Sequence, residues 1–227
     1  MIRKILRFVL WAVAIYAAVV AALIVLYLVV PPVSTPMVMR WVTGKNVVRH
    51  WRPLESISPN LVRAVVVSED ARICSHWGVD WREVGDAISD ADELSDARGA
   101  STIAMQTARN LFLWQGRQLV RKALEVPIAY VTTVVWRPRR MIEIYLNVAE
   151  WGPNGEFGAE AAALRAFGKT AANLSSAEAA ILAASLPNPH RRNAARPGPG
   201  LRRVAAQVQA RVAQDGGASV GCLDLRR

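Results

Sequence analysis

An uncharged apolar run from Phe8 to Val30 constrains this chain more than any other feature. At about 1.5 Å per helical residue it would span roughly 34 Å, enough to cross a hydrocarbon core with some tilt. Arg3, Lys4 and Arg7 stand before it, and the next basic residue after it is Arg40. The positive-inside bias therefore puts residues 1–7 in the cytoplasm and everything after Pro31 outside. A cleaved signal peptide is the competing reading. Its apolar region is normally about 7–15 residues, and no convincing cleavage site precedes Pro31-Pro32, so the run is read as an uncleaved anchor. The chain then divides into a cytoplasmic tail (1–7), a transmembrane anchor (8–30), a linker (31–44), a main domain (45–195) and a C-terminal tail (196–227).

Removing the anchor leaves one domain of about 190 residues, large enough for a proper core. Lys and Arg number 28 against 18 Asp and Glu, a net charge of +10. Nucleic acid is the reflex partner of so basic a chain, but tethering to a membrane argues against it. Anionic headgroups or a phosphorylated lipid substrate are the partners such a domain meets. The two cysteines, Cys74 and Cys222, lie near opposite ends of the domain. An exported domain can hold a disulfide, so they are candidates for a bridge; two independent small apolar residues is the alternative that spacing leaves open. His50, His76 and His190 include no helical pair suited to zinc, and no metal site is expected.

Beyond a stiff Pro-rich spacer after the anchor, the pattern from Pro59 onward is helical. Leu61, Val62, Val65 and Val66 form an apolar face ending near Glu69-Asp70. Further helices are expected over 81–94, with Asp80 as N-cap, and over 101–112, with Gly99 and Ser101 at its start. Another is expected over 118–137, bent or broken at Pro127. Helices over 139–148, 159–167 and 176–186 follow, the last with a capping box from Ser175 or Ser176 to Glu178. Pro187-Asn188-Pro189 is read as the end of the packed region. No alternating run reaches convincing strand length beyond a short stretch after the anchor, so the fold class is mainly α.

Three blocks carry chemistry. Glu69-Asp70 follows the apolar Val65–Val67, where a carboxylate can be desolvated and its proton affinity raised, as a general base near neutrality requires. Asp70 and Arg72 are supporting charges there and His76 an orienting partner; an acidic helix end with no task is the plainer alternative. The second block, Gly99 to Asn110, is dense in donors: Ser101, Thr102, Gln106, Arg109 and Asn110, with Gly99 allowing close backbone approach. Helical spacing sets Thr102, Gln106 and Arg109 or Asn110 on one face. The third block sets Arg117, Arg121 or Lys122, and Glu125 on adjoining parts of a helix face. Cations there beside Arg109 would make a site for a diphosphate.

At these blocks the chain resembles glycosyltransferase family 51, the peptidoglycan glycosyltransferases. The family's Glu-Asp-x-x-Phe-x-x-His-x-Gly is matched by Glu69, Asp70, His76 and Gly78, with Ile73 in place of Phe. Its Gly-x-Ser-Thr-Ile-x-Gln-Gln-x-x-Lys-Asn is matched by Gly99, Ser101, Thr102, Ile103, Gln106 and Asn110, with Met105 for the first Gln and Arg109 for Lys. Its Arg-Lys-x-x-Glu is Arg121, Lys122 and Glu125, and its Glu-x-Tyr-Leu-Asn is Glu143, Tyr145, Leu146 and Asn147. The likeness covers roughly residues 45–195. Met105 lacks the amide of the residue it replaces, so no ligand role passes to it.

The resemblance implies a lysozyme-like α-helical domain acting on lipid II, a disaccharide-pentapeptide on undecaprenyl diphosphate, and on the growing lipid-linked glycan. It implies Glu69 and Glu125 as catalytic residues. Asp70, His76, Ser101, Thr102, Gln106, Arg109, Asn110, Arg117 and Lys122 would bind substrate, and Gly99, Arg121, Glu143 and Asn147 would support them. Reaction would join units by β-1,4 links with inversion and release undecaprenyl diphosphate. No cofactor is certain, a divalent cation (Mg2+ or Mn2+) at the diphosphate being the candidate. Partners would be the membrane and other cell-wall synthesis proteins, in the bacterial inner membrane with the catalytic domain periplasmic. No Ser-x-x-Lys occurs, so the expectation is the monofunctional form without a transpeptidase domain. A lytic hydrolase built on two carboxylates is the chief rival, and a non-enzymatic membrane scaffold the second.

Overall fold

The computed structural model describes residues 1–89, 101–116 and 119–225. Gly99 and Arg117, both expected at the site, lie outside the described residues. Helix α1 spans Ile2–Leu26 and is the one helix among the described residues long and apolar enough to cross a membrane. It starts before Phe8 because nothing in Arg3, Lys4 or Arg7 breaks a helix. It ends before Val30 because the chain must leave helical geometry ahead of Pro31-Pro32. The first half is exposed, whereas Val20 and Ile24 are buried against the domain. The Tyr16 hydroxyl donates to the Phe112 carbonyl (2.9 Å), the Trp136 indole to the Ile24 carbonyl (2.8 Å) and Arg140 to the carbonyls of Tyr27 and Val30 (2.8 and 3.0 Å).

The linker is not a plain spacer. Residues Thr35–Val42 form α2, with Pro36 in the first turn, where its missing N–H costs nothing. Met37 is fully buried and the Thr35 hydroxyl donates to the Leu113 carbonyl (2.7 Å), so α2 is part of the domain.

The remaining helices are α3 (Pro59–Glu69), α4 (Trp81–Ser89), α5 (Ile103–Phe112), α6 (Leu119–Val135), α7 (Pro138–Val148), α8 (Ala159–Phe167), α9 (Ser176–Ser185) and α10 (Pro199–Asp215). The only strands among the described residues are β1 (Val48–Arg49) and β2 (Glu156–Phe157), parallel, with Val48 opposite Glu156. The fold is mainly α, as the periodicity predicts. Helix α3 is buried on more than the one expected face, since Ala64 and Val67 join Leu61, Val62, Val65 and Val66 in the core. It packs against α9 and α10, while α5 packs against α6 and α7.

Several boundaries differ from the sequence reading. Thr102, rather than Gly99 or Ser101, caps α5, accepting from the Met105 amide (3.1 Å). Pro127 neither ends nor splits α6. A buried stripe of Arg121, Glu125, Ala129, Thr132 and Trp136 runs through it at steps of four and three, and its burial outweighs the lost backbone bond. The packed region continues past Pro187-Asn188-Pro189. Leu201, Ala205 and Val208 fall on one face of α10 and are buried, so residues beyond 196 are not a loose tail. After α10 a 3-10 turn, Ala218–Leu223, buries Val220 and Leu223 against the domain. Cys74 and Cys222 form a disulfide across 148 residues of chain, with their Cα atoms 5.7 Å apart. In the chain-entropy view, a loop of that order stabilises the fold by about 5 kcal/mol.

Candidate active site

The apolar helix α3 delivers Glu69 at its C-terminal end, and the chain turns sharply at Asp70. The Asp70 carboxylate is buried and fully occupied. One oxygen accepts from the Ile103 amide in the first turn of α5 (2.9 Å), and the other pairs with His76 Nε2 (2.8 Å). The Gly78 amide donates to His76 Nδ1 (3.2 Å), and the Gly78 carbonyl accepts from the Thr102 hydroxyl (2.6 Å). Gly78 has φ +92°, and a Cβ there would lie 2.6 Å from the Ala129 carbonyl oxygen of α6; only glycine fits. The first motif is thus a tie that fixes the end of α3 to the start of α5 and the flank of α6.

Both nitrogens of His76, both oxygens of Asp70 and the Thr102 hydroxyl are spent inside the fold. These three, expected to bind substrate, make these hydrogen bonds to other parts of the fold. Burial opposes protonation of His76, but the adjacent Asp70 carboxylate outweighs it and holds the imidazole above its ordinary pKa.

Glu69 has a different setting. Its Oε2 accepts from Gln106 Nε2 (3.0 Å), and Gln106 Oε1 accepts from the Tyr145 hydroxyl of α7 (3.1 Å). Burial raises its proton affinity above the ordinary carboxylate range, only partly offset by hydrogen bonds from Gln106 and Ser68 and by the charges of Arg192 and Arg109. Tyr145 is buried and its hydroxyl is held neutral well above the usual phenol range, by that burial and by the Glu69 charge. Sequence reasoning missed Arg192 because it comes from the turn after α9, where nothing local marks it. Its Nη1 donates to the Ala184 carbonyl (2.7 Å).

Arg109 lies one turn beyond Gln106 on α5. Burial lowers its pKa, countered by Tyr145 and Glu69, and the Arg109 charge in turn lowers that of Arg121 on α6. Arg109 is thus near enough for its charge to act on both Glu69 and Arg121, whose own pKa is lowered first by burial. Glu125 is 1 % exposed and ion-paired with Arg121. The Nε atoms of Arg109 and Arg121 are buried without a hydrogen-bond partner. Ser101, Asn110 and Lys122 are half-buried. Ser101 lends its carbonyl to Gln106 (3.2 Å), while Lys122 makes no hydrogen bond or ion pair among the described residues.

Glu143 and Asn147 act one layer back. Glu143 accepts from the Leu54 amide (3.1 Å), and Asn147 brackets Arg52, accepting from its amide and donating to its carbonyl (both 2.8 Å). They pin the 52–54 segment to α7, which carries Tyr145. A cavity of about 570 Å3 lined by His76, Trp77, Trp81 and Tyr130 lies behind the first-motif loop and does not include Glu69.

A carboxylate at a helix end, a buried arginine one turn along α5 from its glutamine partner, and an arginine–carboxylate pair on α6 are the polar groups that this helical domain gathers. Residues 36–214 match the family model described as Transglycosylase, so the chain belongs to the transglycosylase family, glycosyltransferase family 51, with its lysozyme-like helical fold. It is 50% identical over 210 residues to a biosynthetic peptidoglycan transglycosylase of Rhodopseudomonas palustris, covering 92% of each chain. It is 51% identical over 211 residues to a protein of that name from Agrobacterium fabrum, covering 89% of this chain and 92% of the relative. A third, from Rhizobium meliloti, is 50% identical over 198 residues, covering 86% and 84%.

Proposed function

We propose that this transglycosylase polymerises peptidoglycan glycan strands from lipid II at the outer face of the bacterial inner membrane, with its N-terminus cytoplasmic. The observation that carries the reading is the pairing of a proton-hungry Glu69 with a cationic patch reached through Arg109. Glu69 takes the proton from the 4-hydroxyl of the acceptor's N-acetylglucosamine. That oxygen bonds to the anomeric carbon of the donor's N-acetylmuramic acid from the face opposite the leaving oxygen, giving an inverted β-1,4 link. The bond to undecaprenyl diphosphate breaks, and Arg109, Lys122 and Arg117 neutralise the charge that develops on it. Arg121 supports the patch through Glu125, which fixes its guanidinium, while Ser101 and Asn110 offer hydroxyl and amide groups to the sugars and Gln106, expected as a ligand too, holds Glu69.

A divalent cation would be held by the substrate's phosphates and a protein carboxylate. Glu125, the carboxylate on the α6 face, is already engaged by Arg121, and no cluster of three metal-ligating side chains occurs among the described residues. In this reading the charge compensation falls to the cations, with a divalent cation held by the substrate's own phosphates as the alternative. Membrane lipid, the growing glycan and other cell-wall synthesis proteins are the partners in this reading; nucleic acid is not.

The purified full chain incubated with lipid II tests it. Polymer and free undecaprenyl diphosphate are expected, with near-complete loss in Glu69→Gln. Absence of polymer, or shortening of mature glycan instead, would overturn it.

A further inference from the structure

Residues 70–80 connect α3 to α4 and carry the Asp70–His76 pair. On the inner side the loop is held by the hydrogen bonds to Ile103 and Thr102. Its apex is different: Ala71, Cys74 and Ser75 are exposed, and only Ile73 is buried there. The covalent restraint on that apex is the bond from Cys74 to Cys222.

Cys222 sits in a 3-10 turn that is itself fastened. Val220 and Leu223 are buried, and the Asp215 carboxylate accepts from the amides of Gly217 and Ser219 (both 3.1 Å). Arg139 Nη1 donates to the carbonyls of Leu223 and Asp224 (2.6 and 2.7 Å). Arg139 belongs to α7, whose Tyr145 holds Gln106, which holds Glu69. The path from Glu69 through the loop, the disulfide, the 3-10 turn, Arg139 and α7 therefore closes back on Glu69.

We propose that the Cys74–Cys222 disulfide is a positioning element for the reaction, bracing the 70–80 loop so that Asp70 and His76 hold the end of α3 in register with Gln106 and Arg109. The inference rests on Glu69 being the reacting carboxylate. A cross-link that only stabilises would change unfolding and leave turnover alone. A brace changes turnover in the folded protein, because small displacements of a catalytic group are costly in rate.

The test uses the full chain in liposomes containing lipid II, below the melting temperature of every form compared. Cys74→Ser/Cys222→Ser is expected to keep its circular dichroism and KM and to lose about tenfold in kcat. Dithiothreitol should reproduce that loss in the wild type, its two thiols leaving as the cyclic disulfide while Cys74 and Cys222 become thiols, and should not affect the double variant. A second variant, with two glycines inserted between Gly216 and Gly217, keeps the cross-link but slackens it, and should also lose kcat. Wild-type kcat in the folded serine variant overturns the brace; should that variant not fold, wild-type kcat in the slackened chain does so. An oxidised wild type inactive on lipid II overturns the reaction assignment, and the brace with it.

Discussion

Glu69 and Glu125 are both largely withdrawn from water, yet the fold gives them opposite company. Glu125 faces Arg121 one helical turn away and is matched by it. Glu69 has hydrogen bonds from neutral donors and only indirect help from Arg192 and Arg109, so burial dominates and its proton affinity rises. In the proposed reaction the first carboxylate would take a proton and the second would organise a cation. Burial alone does not decide what an acid does; the partner within reach does.

The largest expected effect breaks that contrast from the Glu69 side. Glu69→Gln should lower kcat on lipid II by about 10^2–10^4-fold, the range for removing a general base. The same change should raise the melting temperature at neutral pH. A carboxylate whose folded pKa is raised costs stability once ionised, and the amide removes that cost. An active variant, or one less stable than wild type, would refute the assignment.

From the other side, Arg121→Gln leaves Glu125 buried and uncompensated, which should cost about 3–5 kcal/mol in denaturant unfolding. Replacing both, as Arg121→Met/Glu125→Leu, should recover most of that stability without recovering polymerisation. Recovery of both would mean that the pair serves packing alone.

A smaller effect sharpens the comparison. Arg109→Gln removes a positive charge that eases ionisation of Glu69, so the Glu69 pKa should rise further. Activity depends on the carboxylate and falls as pH drops through that pKa, so the acid limb of the pH–rate profile should move to higher pH. An unmoved limb would place Arg109 away from Glu69.

The smallest effect concerns the tie beside Glu69. The folded pKa of His76 is raised by Asp70, so the protonated pair stabilises fully below the unfolded pKa of histidine and is lost as pH rises through the folded value. The destabilisation caused by His76→Gln should therefore shrink from acidic to alkaline pH in thermal melts. A pH-independent difference would show that the fold leaves the imidazole pKa unchanged, and one that grows with pH that the ring is held neutral with Nδ1 accepting from Gly78.

Much of this was legible where local chemistry is unambiguous. Ser175 and Glu178 form the expected capping box, Asp80 accepts from the amides of Arg82 and Glu83 at the start of α4, and α8 spans the expected 159–167. What escaped depends on contacts between distant segments. Helix α2 reads as a spacer because prolines flank Ser34 and Thr35, and only the burial of Met37 and the bond from Thr35 to Leu113 make it part of the domain. The arginines of α10 hide a short apolar face that matters only once α9 is beside it. Thr102 and His76 look like ligand donors in a list of polar residues, yet the fold consumes every polar atom of their side chains. The charge of Arg192 acts on Glu69 from far along the chain, a relation no spacing rule contains.

The way α1 meets the domain has a mechanical consequence. Because Tyr16, Ile24 and Tyr27 are all bonded to the catalytic half of the molecule, the span is no slack leash. On the proposed reading it would act as a fixed stilt, setting the height of the reaction centre over the bilayer and the tilt at which a lipid-borne sugar must present itself. An enzyme so attached would wait at its station while the substrate diffuses to it in the plane.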